Sequence, residues 1–443
     1  MVPPRSRRNL LFAVITLLAF TVFVECLSFA TFWLIEGQPL SLARLATERA
    51  RLAYLAQPAP LTPRRPPARA IPQWAAGEVV HPYLGYVEDP TRNSPQALAS
   101  SHFPVNDYGF LDEHLPLQTR TPGKVILGIT GGSVAYWFSV YGTDKLQAEL
   151  RKSPAFASKD IVIVRTALGG YKQPQQLMVL NYLLTLGGQF DILVNIDGFN
   201  EVALPVAENL PGEVFPFFPR SWFLRVNTLP DAGINALVGR IEYLRTWRTQ
   251  WATAAMKFPV RYSMTANMIW KYIDSALAAA LSQAQVELQA YKPSTGQYVA
   301  HGPTRHYDND TALFTDLASV WQRSSLQLHH LCAANGIAYF HFLQPNQYLP
   351  GTKPMQAAES RAAIVENHPY RKGVEAGYPY LIVAGGELAR KGVEFHDLTQ
   401  MFSDTLEPVY ADTCCHLNQR GNELLATRVA HAIVSNFAER GAK

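Results

Sequence analysis

"KVILGITGGSVAYWFS" (residues 124–139) is an apolar run that stops at two adjacent glycines, presents one serine and then turns to a helical polarity pattern. Read as a strand, a tight turn and a helix start, it places Ser133 where a side chain is held at the end of a sheet. Gly131 and Gly132 permit a backbone that other residues resist and let it approach a neighbour closely. Such a serine is either the cap of the following helix or a nucleophile raised on a turn. Gly131 stands two residues before Ser133 as in a nucleophile elbow, but Ala135 stands where the second glycine would be. No lysine follows to complete a phosphate-binding loop, and no third glycine completes a dinucleotide fingerprint.

Four further segments match the first: "DIVIVRTAL" (160–168), "FDILVNIDG" (190–198), "GIAYFHFLQ" (336–344) and "VEFHDLT" (393–399). Each is short, apolar and bounded by turn residues, and helical patterns such as "GTDKLQAELRKS" and "QPQQLMVLNYLLTLGG" alternate with the first three. That rhythm predicts a three-layer α/β/α domain on a five-stranded, mainly parallel sheet of flavodoxin-like type. In such sheets the site lies beyond the carboxyl ends of the strands, where Ser133, Gly169-Gly170 and "DGFNE" fall.

Between residues 202 and 330 the strand rhythm stops. Long alanine-rich helical patterns predict a helical insertion, and "LPGEVFPFFPRSWFLRV" an aromatic, proline-broken loop. The insertion is either an accessory subdomain or a lid whose Phe217, Phe218, Trp222 and Phe223 line a groove or touch a membrane surface.

Towards the N-terminus, Arg5, Arg7 and Arg8 precede an apolar stretch, residues 10–35, long enough to cross a hydrocarbon core of about 30 Å. "CLSFAT" offers a cleavage site, but the apolar pattern continues through "FWLI", which favours an uncleaved anchor. The expected organisation is a basic cytoplasmic tail (1–9), a single-pass transmembrane helix (10–35), a helical and proline-rich stalk (36–76) and a domain over 77–443. Positive charge before the span places that domain on the periplasmic or extracellular side. Glu25 inside the span is either paired with a partner or a snorkelling or protonated carboxylate.

The 443 residues are 48% hydrophobic with a net charge of +4, a globular composition without a basic stripe, so nucleic acid is not an expected partner. Four cysteines do not make a disulfide scaffold; Cys332, Cys414 and Cys415 are either packing residues or, across a membrane, able to pair. His301, His306, His329, His330 and His341 show no zinc-ligand spacing, and no metal or organic cofactor is expected.

Near the end, "YADTCCHLNQRGNELLATRVAHAI" carries Asp412 and His416 four apart. A serine hydroxyl needs a histidine to take its proton, and that histidine needs an acceptor on its other ring nitrogen. Gly170 offers a backbone N–H and Asn200 a side-chain amide, the donors that stabilise an oxyanion. Glu201 either binds a substrate hydroxyl or caps a helix.

Serine after the first strand, glycine after the second, Gly-x-Asn after the third and an Asp/His pair before the last helix form an ordered series. The series resembles the SGNH hydrolase superfamily, the GDSL-like esterases, over residues 124–435. "HPYLGYVEDP" and "NDYGFLDEHLP" look like the lead-in segments of its membrane-anchored bacterial members. The resemblance implies Ser133 as nucleophile, His416 as general base and Asp412 as its orienting carboxylate. It also implies an oxyanion hole from the Ser133 and Gly170 N–H groups and the Asn200 amide. Two departures stand: Gly132 occupies the usual aspartate position, and Asp412 and His416 are four rather than three apart. The implied activity is ester hydrolysis on an O-acylated carbohydrate or other small ester. The alternatives are O-acyl transfer to a cell-surface polysaccharide with the same residues, or a binding or assembly protein without catalysis.

Overall fold

The computed structural model describes residues 4–36, 41–55, 77–92, 102–226, 232–291 and 298–441. The proline-rich stretch expected as a stalk, 58–73, lies outside them. By its internal contacts the chain divides into two units, Met1–Gln73 with Pro230–Pro293, and Trp74–Leu229 with Ser294–Lys443.

The larger unit opens with an antiparallel pair, Glu78–His81 (β1) and Gly85–Glu88 (β2). The sheet follows: Lys124–Gly131 (β3), Asp160–Arg165 (β4), Ile192–Asp197 (β5), Ala338–Leu343 (β6) and Glu394–Asp397 (β7). All five are parallel in the order β4-β3-β5-β6-β7, the architecture the apolar runs predict. Every residue of β5 and β6 is buried, because a parallel sheet covered on both faces leaves no side to water. The chain runs from β3 outward to β4, then back past β3 to β5. With right-handed crossovers that reversal moves the helices from one face to the other.

Accordingly, Ser133–Tyr141 and Thr143–Leu150 pack with Gln419–Gly441, while Gln175–Thr185 and Arg371–Arg390 pack with Asp310–Ala334. The helix Asp310–Ala334 buries Leu313, Phe314, Leu317 and Trp321. It is thus a crossover helix of the sheet, although it belongs to the stretch without strand rhythm. The reversal falls at the carboxyl ends of β3 and β5, the place where doubly wound sheets hold ligands.

The smaller unit is helical: Pro4–Glu36, Leu42–Leu55, Ala232–Ala255 and Met264–Gln289. Pro4–Glu36 contains one segment, Leu11–Leu34, long and apolar enough to cross a membrane. Arg49 is buried here beneath Trp270, 4.3 Å from its ring centroid, and bonds Asn267 and the Ala255 carbonyl. Burying such a charge is costly, and two of its nitrogens find acceptors while the buried Nε has none.

Candidate functional site

Gly131 at the end of β3 has φ +142°, and a Cβ there would strike the Ile196 carbonyl of the neighbouring strand. A Cβ on Gly132 would strike the Asn200 amide. The glycine pair is therefore set by two close approaches, one to β5 and one to the helix Phe199–Leu204 that follows it. The second approach leaves no room for a side chain at position 132 beside Asn200. Ser133 then begins its helix with a half-buried side chain. Its own N–H is among those that a helix start leaves without an intrahelical acceptor.

Asp412 and His416 lie on a tight loop closed by the Tyr410–Leu417 bridge and by the Ala411 N–H on the His416 carbonyl at 2.8 Å. Asp412 Oδ1 accepts the N–H groups of Cys414, Cys415 and His416 at 2.9, 3.3 and 3.4 Å. Its Oδ2 meets His416 Nδ1 at 2.5 Å. The four-residue spacing is thus the geometry of a carboxylate that caps its own loop with one oxygen and holds the imidazole with the other. Glu359 supports the loop from below, accepting the N–H groups of Val409 and Tyr410 and pairing with Lys353 at 3.0 Å.

His416 Nε2 lies 2.7 Å from Ser133 Oγ. Burial works against ionisation of Asp412, but the hydrogen bond and charge of His416 and the backbone N–H groups outweigh it, so its pKa sits below the usual carboxylate range. An ionised carboxylate only accepts, so His416 Nδ1 carries the hydrogen and Nε2 is left to accept from Ser133. The His416 pKa is raised: burial opposes protonation, and the Asp412 hydrogen bond with the charges of Cys414 and Asp412 prevails.

Gly170 has φ +80°, and a Cβ there would meet the Arg220 stem and the Tyr86 hydroxyl. Tyr86 fixes the turn by donating to the Gly169 carbonyl at 2.6 Å. Among the described residues no acceptor takes the Gly170 N–H. Asn200 Nδ2 donates to the Tyr171 carbonyl at 2.7 Å, which joins the turn after β4 to the helix after β5 directly beside Gly132. The structure therefore brings Ser133, Gly170, Asn200, Asp412 and His416 to one end of the sheet.

Glu201 is a cap. Its Oε2 accepts the Gly198 N–H at 2.8 Å and its Oε1 the Gln173 N–H at 2.9 Å, so one buried carboxylate ties the same two loops together. Burial, with the charge of Asp197, pushes its pKa up. Lys172 beside it is fully buried with its pKa lowered by that burial to about 7.

Arg220, Glu208 and Tyr370 are site neighbours that carry no sequence motif. Arg220 pairs with Glu208 through Nη2 at 3.0 Å and donates to the Tyr370 hydroxyl at 3.1 Å. Tyr370 in turn donates to Glu208 at 2.8 Å. Of these only Arg220 lies in the aromatic, proline-broken loop that the sequence singles out. Phe217, Phe218 and Trp222 are half-buried and Phe223 is buried; Trp222 donates to the Val299 carbonyl at 2.8 Å.

Other residues with chemical potential are committed elsewhere. His341 sits between Asp197 at 2.8 Å and Ser325 at 2.7 Å, a second Ser/His/Asp arrangement, but all three are buried in the core where no substrate reaches. Cys414 and Cys415 are free thiols with sulfurs 3.2 Å apart, and Cys332 is free and buried. Among the described residues, two groupings offer three possible metal ligands each: Cys414, Cys415 and His416, and Asp112, Glu113 and His114. In the first, both His416 ring nitrogens are engaged by Asp412 and Ser133. In the second, Asp112 is engaged by Arg165 at 3.0 Å.

No family model matches the chain, and no curated protein matches it in sequence. Among solved structures it is similar to an acetyl xylan esterase, with 10% identity and a TM-score of 0.32 over 70% of this chain and 99% of that one. So loose a likeness carries no argument about activity.

Proposed function

We propose that this protein is a membrane-anchored serine esterase of the SGNH type, acting on the O-acyl groups of a carbohydrate or a similar small ester. The observation that carries the reading is the continuous line of hydrogen bonds from Asp412 through His416 to Ser133 at the carboxyl end of a parallel sheet. In the proposed reaction Ser133 Oγ attacks the acyl carbonyl as His416 Nε2 takes its proton. The carbonyl oxygen, now negative, is held by the Ser133 and Gly170 N–H groups and by the Asn200 amide hydrogen not used by Tyr171. His416 returns the proton to the departing alcohol, leaving an acyl-serine. Water, deprotonated by the same nitrogen, then releases the acid and restores the serine. A sugar hydroxyl in place of that water would make the product an acyl transfer instead.

The test is labelling of the full chain in detergent with a fluorophosphonate, beside the Ser133→Ala and His416→Ala variants. Labelling of the native chain that disappears in both supports an activated Ser133. Absence of labelling in the folded native chain, with no hydrolysis of p-nitrophenyl acetate, rejects it. Supplying a polysaccharide acceptor to the labelled-acyl reaction separates hydrolysis from transfer.

A further inference from the structure

Glu25 lies within the apolar segment Leu11–Leu34, about 21 Å along the helix from Leu11 and about 14 Å from Leu34 at 1.5 Å per residue. A lone carboxylate at that level of a bilayer is costly, and here it is not alone. Its oxygens accept the Ser263 hydroxyl at 2.6 Å and the N–H groups of Met264 and Thr265, the start of the helix Met264–Gln289. Three residues on, Ser28 meets the Thr265 hydroxyl at 2.9 Å. The bend between Ala232–Ala255 and Met264–Gln289 is therefore fixed to the apolar helix well before that helix ends.

What the bend exposes is largely apolar and aromatic. Phe258 is 79% exposed, Tyr262 53%, Ile269 48% and Tyr272 79%, and the Phe258 and Tyr262 rings lie edge to face at 6.3 Å. Arg261 lies over the Tyr262 ring and donates to its hydroxyl at 2.7 Å, and Lys257 is exposed beside them. Aromatic rings and long cations clustered on one turn suit the boundary between acyl chains and headgroups, where the rings bury their faces and the cations reach phosphate.

We propose that residues 257–272 dip into the outer leaflet of the membrane beside the anchor helix, with the lipid bilayer as the partner of the exposed aromatic turn. The proposal rests on Leu11–Leu34 spanning that membrane. The anchor then has two parts, a helix across the bilayer and a helical bend in its outer face, and Glu25 is the bolt between them.

The test places a genetically encoded fluorescent amino acid at Tyr262, at Leu18 in the span, or at Leu406, an exposed residue of the larger unit. The full chain is reconstituted in phosphatidylcholine–phosphatidylglycerol vesicles whose acyl chains are brominated near the carbonyl or near the chain centre. The expected result is strong quenching at 262 by the shallow bromines, at 18 by the deep ones, and at 406 by neither. Quenching at 18 with 262 behaving like 406 overturns the proposal while the anchor stands. No quenching at 18 removes the anchor and the proposal together. A label at Phe258, still more exposed at 79%, repeats the measurement and must agree.

Discussion

Asp412→Asn removes one charge from the site and keeps the shape of its loop. Oδ1 still accepts the N–H groups of Cys414 and Cys415, so lost activity reports on the contact of the other oxygen with His416 at 2.5 Å. A hydrogen bond to a charged group contributes about 1.5–3 kcal/mol, which is about 10- to 150-fold in rate. The Asp412 side chain is 44% exposed, and water screens such a pair, so the expected loss in kcat/KM is at the lower end, about 10- to 50-fold. An amide that turns its NH2 towards His416 favours the other tautomer and deepens the loss.

The pH profile adds a readout whose sign is fixed. His416 acts as a base only when neutral, and in the native site its pKa is raised, so activity is lost as pH falls through that raised value. Without the carboxylate, both the hydrogen bond and the charge of Asp412 that raise the pKa are gone, while burial still lowers it against Cys414 alone, so the acidic limb of the variant moves to lower pH. The assay is p-nitrophenyl acetate hydrolysis across about pH 5 to 9. Unchanged kcat/KM with an unmoved acidic limb would refute the role assigned to Asp412.

Asn200→Ala is expected to lower kcat by about 10²- to 10³-fold with little change in KM, the measured loss for an oxyanion donor elsewhere. A KM effect alone would make Asn200 a binding residue. Gly132→Ala forces a methyl against the Asn200 amide and is expected to lower kcat in the same way while the thermal midpoint falls only modestly. Glu201→Ala leaves the Gly198 and Gln173 N–H groups without their acceptor and is expected to cost about 1–3 kcal/mol for each in a denaturant titration, whereas a change within error would mean the two loops hold without it. Asp112→Ala leaves the buried Arg165 only the longer pairing with Glu113 at 3.6 Å and is expected to cost towards the lower end of about 3–5 kcal/mol, with the site's reactivity per folded molecule unchanged.

Much of this molecule was legible in its residues because the signals are local. A strand buried on both faces must be a continuous apolar run, and β3, β5 and β6 announced themselves that way, whereas the edge strand β7 is polar at three of its four residues and only partly buried. Asp160–Arg165 is shorter than the expected run to 168, although the N–H groups of Thr166 and Leu168 still bond the Ile129 and Gly131 carbonyls of β3. Gly131-Gly132, Asn200 and the Asp412–His416 pair stood out only as an ordered series, since each alone is an ordinary turn former or cap. The partner of Glu25 did not: it lies more than two hundred positions away, and nothing near Ser263 marks it.

The sequence alone determined the parallel sheet, the apolar helix and the end of the sheet at which reactive groups gather, since periodicity and turn chemistry are properties of neighbouring residues. Only the tertiary structure decided which groups meet. It set His416 against Ser133 across 283 positions, closed Arg220, Glu208 and Tyr370 beside Gly170, and buried His341 with Asp197 and Ser325 in a similar constellation that no substrate can enter. The same three residue types therefore make a reachable site in one place and core in another. The difference is solvent access, which packing between distant segments creates and no short stretch of chain encodes.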